Sequence, residues 1–180
     1  AQSCCGQPPF NSGFRNEARE VARKQLDCFP KDHPIIVPSA SCAGMMKHHW
    51  PELFAGDPDE ERAREIASRV YELTEYLVDR LDYQPVDNGE PTTIAIHSSC
   101  SALREMSVAD RIEKLIRSLE NVTCFEQAYK SECCGFGGTF AVKQPEISAA
   151  MATDKAATIR ETGAERLISQ DCGCLMNIGG

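Results

Sequence analysis

The sequence predicts an α/β protein built from two pseudo-repeated, Rossmann-like βα units, with mainly parallel sheets and cysteines at the C-terminal ends of the strands. Three observations carry that prediction. Short apolar runs that read as strands alternate with longer segments whose apolar residues recur every three to four positions. The triplet Cys-Cys-Gly occurs twice, at Cys4-Cys5-Gly6 and at Cys133-Cys134-Gly135. Each triplet is followed by a helical segment, a short strand and one further cysteine, Cys42 in the first block and Cys174 in the second, the pattern of an internal duplication.

Taken in order, residues Phe14 to Cys28 predict a helix, with Ala18, Val21, Ala22 and Leu26 on one face. Pro34 to Pro38 encloses the β-branched run Ile35-Ile36-Val37 and reads as a strand. Ser39 or Ser41 is placed to cap a short helix carrying Cys42, Met45 and Met46. Asp59 to Leu81 reads as one long helix that buries an apolar stripe including Ile66, Val70, Leu73 and Leu77. The Asp-, Gly- and Pro-containing stretch Asp82 to Pro91 separates a first half, 1–85, from a second, 90–180. Beyond it come a strand at Thr92–His97, a helix at Ala109–Leu119, a strand at Val122–Phe125, a helix at Pro145–Glu161 and a strand at Arg166–Ser169.

Composition narrows the function. The chain has 180 residues, 42% of them hydrophobic and 26% charged, which suits a folded protein rather than a disordered one. Its net charge of −8 lacks the basic footprint of a nucleic-acid or anionic-membrane binder. No apolar run approaches the roughly 20 residues that a membrane-spanning helix needs. No P-loop or nucleophile elbow is present, and Gly135-Phe136-Gly137-Gly138 does not fit the dinucleotide fingerprint.

Ten cysteines are the outlying feature. At about 6% they fall below a disulfide scaffold, and two adjacent pairs suit disulfides poorly. Together with the missing secretory signal, they predict reduced thiols, a cytoplasmic setting, and metal or redox chemistry. Cys42, Cys100 and Cys174 each follow a predicted strand, at the sheet edge where ligands gather. Cys133 and Cys134 sit in a glycine-rich loop able to wrap a ligand closely. Cys100, Cys133, Cys134 and Cys174 are therefore expected to converge as four thiolates, a set that suits zinc or an iron–sulfur cluster. Cys4, Cys5 and Cys42 form the matching first set. By the spacing of Cys100 to Cys133, that set calls for a fourth cysteine and its strand about 33 positions before Cys4, upstream of residue 1. A half-built edge there predicts loose packing of residues 1–13, or their completion by another chain.

The runs Cys4-Cys5-Gly6-Gln7-Pro8, Phe10-Asn11-Ser12-Gly13, Pro38-Ser39-Ala40-Ser41-Cys42, His97-Ser98-Ser99-Cys100, Leu103-Arg104-Glu105, Cys133 to Phe140 and Cys174-Leu175-Met176-Asn177-Ile178 resemble the cysteine-rich CCG-domain iron–sulfur proteins of the lactate-utilisation protein A type. Relatives in that family include subunits of glycolate oxidase, anaerobic glycerol-3-phosphate dehydrogenase and heterodisulfide reductase. The resemblance implies a cytoplasmic electron-transfer subunit holding a four-iron–four-sulfur cluster. It also implies companion iron–sulfur and accessory subunits that together oxidise L-lactate to pyruvate. Flavin or nicotinamide, where used, falls to a partner chain. Where the heterodisulfide reductase group closes its motif with a second cysteine, this chain has Met45 and Asn177. The alternatives from other classes are a zinc-stabilised assembly module and thiol–disulfide exchange, the latter disfavoured because no C-x-x-C is present.

Other residues near the motifs carry weaker expectations. His97 beside Cys100 is expected to support the site by hydrogen bonding, and Arg104 to offset cluster charge or bind a carboxylate. Gly135, Gly137 and Gly138 are expected to supply loop amides to the bound group. Lys143, near the glycine loop, is expected to act in the same way as Arg104. Cys28 and Cys124 read as small buried hydrophobes, Cys172 as a bystander, and His48-His49 as solvent-facing caps.

Overall fold

The computed structural model describes residues 2–29 and 32–180. The chain begins with α1 (Gln7–Asn11) and α2 (Arg15–Leu26), followed by β1 (Ile35–Val37) and α3 (Ala40–Gly44). A π-helical turn at Met45–His49 joins α3 to α4 (Trp50–Leu53), and α5 (Glu60–Ser68) leads into β2 (Val70–Glu72). Then come α6 (Leu73–Glu75), a π turn at Tyr76–Arg80, and β3 (Thr92–His97). A third π turn, Ser101–Glu105, precedes α7 (Ala109–Arg117) and β4 (Val122–Phe125). The chain ends with α8 (Phe140–Lys143), α9 (Pro145–Arg160), β5 (Arg166–Ser169) and α10 (Cys172–Gly179).

All strand pairs are parallel. In the three-stranded sheet β3 lies between β4 and β5, with Thr92 opposite Val122 and His97 opposite Ser169. In the first half β1 pairs with β2, Ile35 opposite Val70. This is the α/β architecture with parallel sheets that the alternating pattern predicts. The stretch between the π turn at 76–80 and β3 is largely exposed and irregular.

The long helix expected over 59–81 is corrected: α5 stops at Ser68 and the chain turns into β2. Apolar spacing favours a helix there, but two tertiary and local terms outweigh it. The β1 backbone needs a partner, and the amide of Ile35 bonds the Arg69 carbonyl at 2.9 Å just where β2 begins. Glu72 then restarts the helix through a capping box, accepting from the Thr74 and Glu75 amides while the Glu75 side chain accepts from the Glu72 amide. The expected stripe splits accordingly. Ile66 and Val70 are buried, Leu77 is half-buried and Leu73 is exposed.

The main core gathers Leu26, Met45, Trp50, Leu53, Phe54 and Ile66, and takes in Ala102, Met106 and Val108 from beyond Cys100. A smaller cluster of Ile94, Ile96 and Ile112 lies under the second sheet. Trp50 is fully buried and its indole N–H donates to the Cys5 carbonyl at 2.9 Å. Gln25 also bonds the backbone and hydroxyl of Ser3. Within the N-terminal stretch Cys5 and Gly6 are buried, whereas Gln2, Ser3, Cys4, Asn11 and Gly13 are exposed; Ala1 lies outside the described residues.

Candidate metal centre

The two Cys-Cys-Gly loops fold alike. In each, the glycine amide donates to the first sulfur, Gly6 to Cys4 at 3.4 Å and Gly135 to Cys133 at 3.3 Å. Both glycines take positive φ, +92° and +85°. Both also press on a helix: a Cβ at Gly6 would sit 2.9 Å from the Ala18 carbonyl oxygen, and one at Gly135 would sit 2.8 Å from that of Ser148. Glycine is required at both places for conformation and for space. The second sulfur of each pair turns inward, so Cys5 and Cys134 are buried while Cys4 and Cys133 are exposed.

The remaining cysteines arrive from strand ends. Ser39 and Asp171, both extended, precede α3 and α10 by one residue and place Cys42 and Cys174 in the first turns. Cys100 opens the π turn after β3. Cys100, Cys133, Cys134 and Cys174 line one small cavity as a chain of neighbouring thiols, and each shifts the acidity of the next. Contact with Cys133 raises the Cys100 thiol, whereas Cys133, accepting from its neighbours and from the Gly135 amide, is held far down. Contact with Cys133 and Cys174 raises Cys134, and Cys174 is lowered to about 6, chiefly by Cys134. Such thiolates are the metal-binding form of cysteine.

His97 ends β3 beneath this chain. It is 1% exposed, and neither ring nitrogen has a conventional hydrogen-bond partner. Its ligand atom and the sulfurs of Cys134 and Cys174 lie within 4.8 Å of one another. Buried polar atoms are rarely left this way without a ligand or ion to meet them. Two sulfurs and an imidazole this close, with Cys100 and Cys133 lining the adjoining cavity, fit a thiolate-held metal centre. A cavity of about 90 Å³ adjoins it, lined by Cys100, Cys133, Cys134 and Cys174 and closed from the first half by Gln7, Asn11 and Ser41. Of three larger pockets, one of about 190 Å³ is lined by Cys5 and Cys42, and two of about 800 Å³ lie away from the cysteines.

In the first half, Cys5 and Cys42 meet at 3.5 Å between sulfurs. Cys42 is lowered to about 7 by the contact with Cys5, and Cys5 is raised by the same contact. Cys4 stands at the exposed rim.

Several expected residues do other work. Arg104 is exposed and donates to the Ser131 carbonyl at 3.4 Å, bracing the approach to the cysteine loop. Gly137 and Gly138 line the cavity with positive φ, and a Cβ on Gly137 would meet Phe140 at 2.7 Å. Lys143 stacks on Phe14. His48 is exposed, but His49 is not a solvent-facing cap; it bonds Glu105 at 2.8 Å and stacks on Phe10. Cys172 is exposed, while Cys28 and Cys124 are half-buried.

Asp171 and Asn177 contribute in ways the sequence reading does not assign. Asp171 accepts from the Gly173 amide at 3.2 Å and from the Ser41 amide at 3.0 Å, joining the two cysteine-bearing helix starts. Its place just before Cys172-Gly173-Cys174 is a readable N-cap signal. Asn177 donates to the Cys134 carbonyl at 2.8 Å from one turn beyond Cys174. Nothing in local sequence marks that role.

A family model described as a cysteine-rich domain, CCG, matches residues 1–47 and 94–179, the segments that contain the two thiol sets. The chain belongs to the CCG cysteine-rich domain family. Within this family it is similar to the lactate utilization protein A of Oceanobacillus iheyensis, 42% identical over 181 residues, covering 100% of this chain and 74% of the relative. The lactate utilization protein A of Bacillus subtilis is 39% identical over 180 residues, 99% of this chain and 75% of its own. That of Geobacillus kaustophilus is 40% identical over 181 residues, with 100% and 75% covered. No helix among the described residues is long and apolar enough to cross a membrane.

Proposed function

We propose that this chain is an iron–sulfur electron-transfer subunit of a system that oxidises L-lactate, or a similar 2-hydroxy acid, to pyruvate. The observation that carries the reading is the compact group of His97, Cys134 and Cys174 beside a cavity that Cys100 and Cys133 also line. The names of the relatives support the substrate. Oxidation of lactate releases two electrons and two protons, so a one-electron carrier serves it through companion iron–sulfur and accessory subunits. The cytoplasm, where thiols stay reduced, suits such a carrier.

When bound, a four-iron–four-sulfur cluster supplies reversible one-electron storage. The residues of the chain do the rest. The four cysteines of the second half hold the group as thiolates, and the Gly135 amide donates to the Cys133 sulfur, lowering its charge density. Asn177 fixes the Cys134 backbone, while Gln7, Asn11 and Ser41 close the site from the other half. Cys4, Cys5 and Cys42 form the corresponding part of a second such site, in a chain read as two similar halves, 1–85 and 90–180.

Anaerobic reconstitution with iron and sulfide tests this. The expected result is a brown protein with matched iron and acid-labile sulfide and a reducible cluster signal, lost in Cys134→Ser and Cys174→Ser. The compact group of His97, Cys134 and Cys174 favours one second reading, a structural zinc site. A colourless protein with stoichiometric zinc would establish that reading and reject the first.

A further inference from the structure

Lys155, on α9, is 1% exposed, an uncommon state for a lysine. Its ammonium donates to the Tyr129 carbonyl at 2.7 Å, and no carboxylate among the described residues lies within ion-pair distance of it. Burial pushes its ammonium toward the neutral form, and the nearby charges that oppose this are those of Glu132, Cys134 and Cys133. A buried cation without a paired anion is costly unless something negative comes to it.

The duplication shows what is particular about this lysine. Ala18 and Ser148 occupy matching places, each with its carbonyl against the loop glycine. Seven residues further along each helix stand Gln25 and Lys155. Gln25 is likewise buried and likewise ties down the chain before its Cys-Cys-Gly loop, through Ser3. The structural task is thus shared, and a neutral amide performs it in the first half. Only the second half adds a positive charge.

We infer that Lys155 is the charge-compensating residue of the second cysteine set, stabilising the net negative charge of a thiolate-held metal centre and its reduced form above all. Four thiolates around a divalent ion or a cluster carry excess negative charge. Adding one electron increases it without forming or breaking a bond. A fixed cation in a medium of low dielectric opposes that build-up at close range. The effect on reduction rests on the iron–sulfur reading above; the effect on metal affinity does not.

The test compares the full chain with Lys155→Gln, which copies Gln25 and keeps a donor for Tyr129, and with Lys155→Arg, which keeps the charge. In the apoprotein, cobalt(II) titration followed by its thiolate absorption should show affinity falling about tenfold in Lys155→Gln and staying near wild type in Lys155→Arg. In the iron-loaded protein, a dithionite titration followed by electron paramagnetic resonance should show reduction disfavoured about tenfold in Lys155→Gln, or about 59 mV for one electron. Unchanged cobalt affinity or an unchanged potential in a folded Lys155→Gln overturns the inference. A lysine-dependent cobalt affinity in a chain that takes up no iron and sulfide upholds the charge role and sinks the electron-transfer reading instead.

Discussion

Gly135 combines a φ of +85° with a carbonyl oxygen 2.8 Å from where a Cβ would sit. Gly135→Ala therefore meets strain and a backbone clash together, at about 1–3 kcal/mol. For a chain of this size that lowers Tm by roughly 2–12 °C, measurable by thermal denaturation, and metal uptake should fall with it. A melting temperature equal to wild type would show that the loop relaxes freely. Asn177 makes a subtler contribution. Asn177→Leu removes the donor to the Cys134 carbonyl, and should weaken cobalt(II) binding while leaving overall stability within about 1.5 kcal/mol. Equal affinity in the two proteins would deny Asn177 a place in the site. At this scale the cysteines were readable because their types, spacing and paired glycines repeat. Asn177 and Lys155 were not, because their roles depend on which backbone they face after folding.

Glu72 shows how an element boundary is decided. Its buried carboxylate caps α6, accepts from the Thr74 hydroxyl at 2.6 Å, and faces Gln170 of the other half. Glu72→Ala should cost about 1–3 kcal/mol from lost cap and lost hydrogen bonds, read from chemical denaturation midpoints. A change below about 0.5 kcal/mol, the usual size of a surface effect, would show that β2 and α6 form without it. Periodicity over 59–81 could not reveal this break, since Ile66 and Val70 satisfy helix and strand alike while the deciding partner, β1, lies more than thirty residues away. The fastening of α2 to the start of α5 gives a pH dependence. Arg23 donates to both oxygens of Asp57 and also meets Asp59, and holds the Asp57 carboxyl down from 3.8 to about 2. A depressed carboxylate adds stability that is complete above its unfolded value and is lost as pH falls through the folded one. Asp57→Asn should therefore flatten the loss of stability between about pH 4 and pH 2, and change little in shape above pH 5. An unaltered acid limb would mean that the pair contributes nothing.

Across the whole molecule the segments bearing the two cysteine sets are tied together. Ala40 donates to the Gln170 carbonyl at 2.8 Å and Ser41 to Asp171 at 3.0 Å, so the starts of the helices bearing Cys42 and Cys174 are stitched together. The core crosses the same boundary through Ala102, Met106 and Val108. The parallel α/β plan and the grouping of cysteines at strand ends follow from alternation and repetition, which local sequence displays. How the halves share a core depends on long-range packing, which it does not. On the proposed function, Cys100, Cys133, Cys134 and Cys174 hold one iron–sulfur centre. Anomalous diffraction at the iron edge, from crystals of the anaerobically reconstituted chain, tests it most directly. A strong iron peak enclosed by those four sulfurs and next to His97 is the expected result. Iron bound elsewhere, or a zinc-edge signal alone at this position, would contradict it.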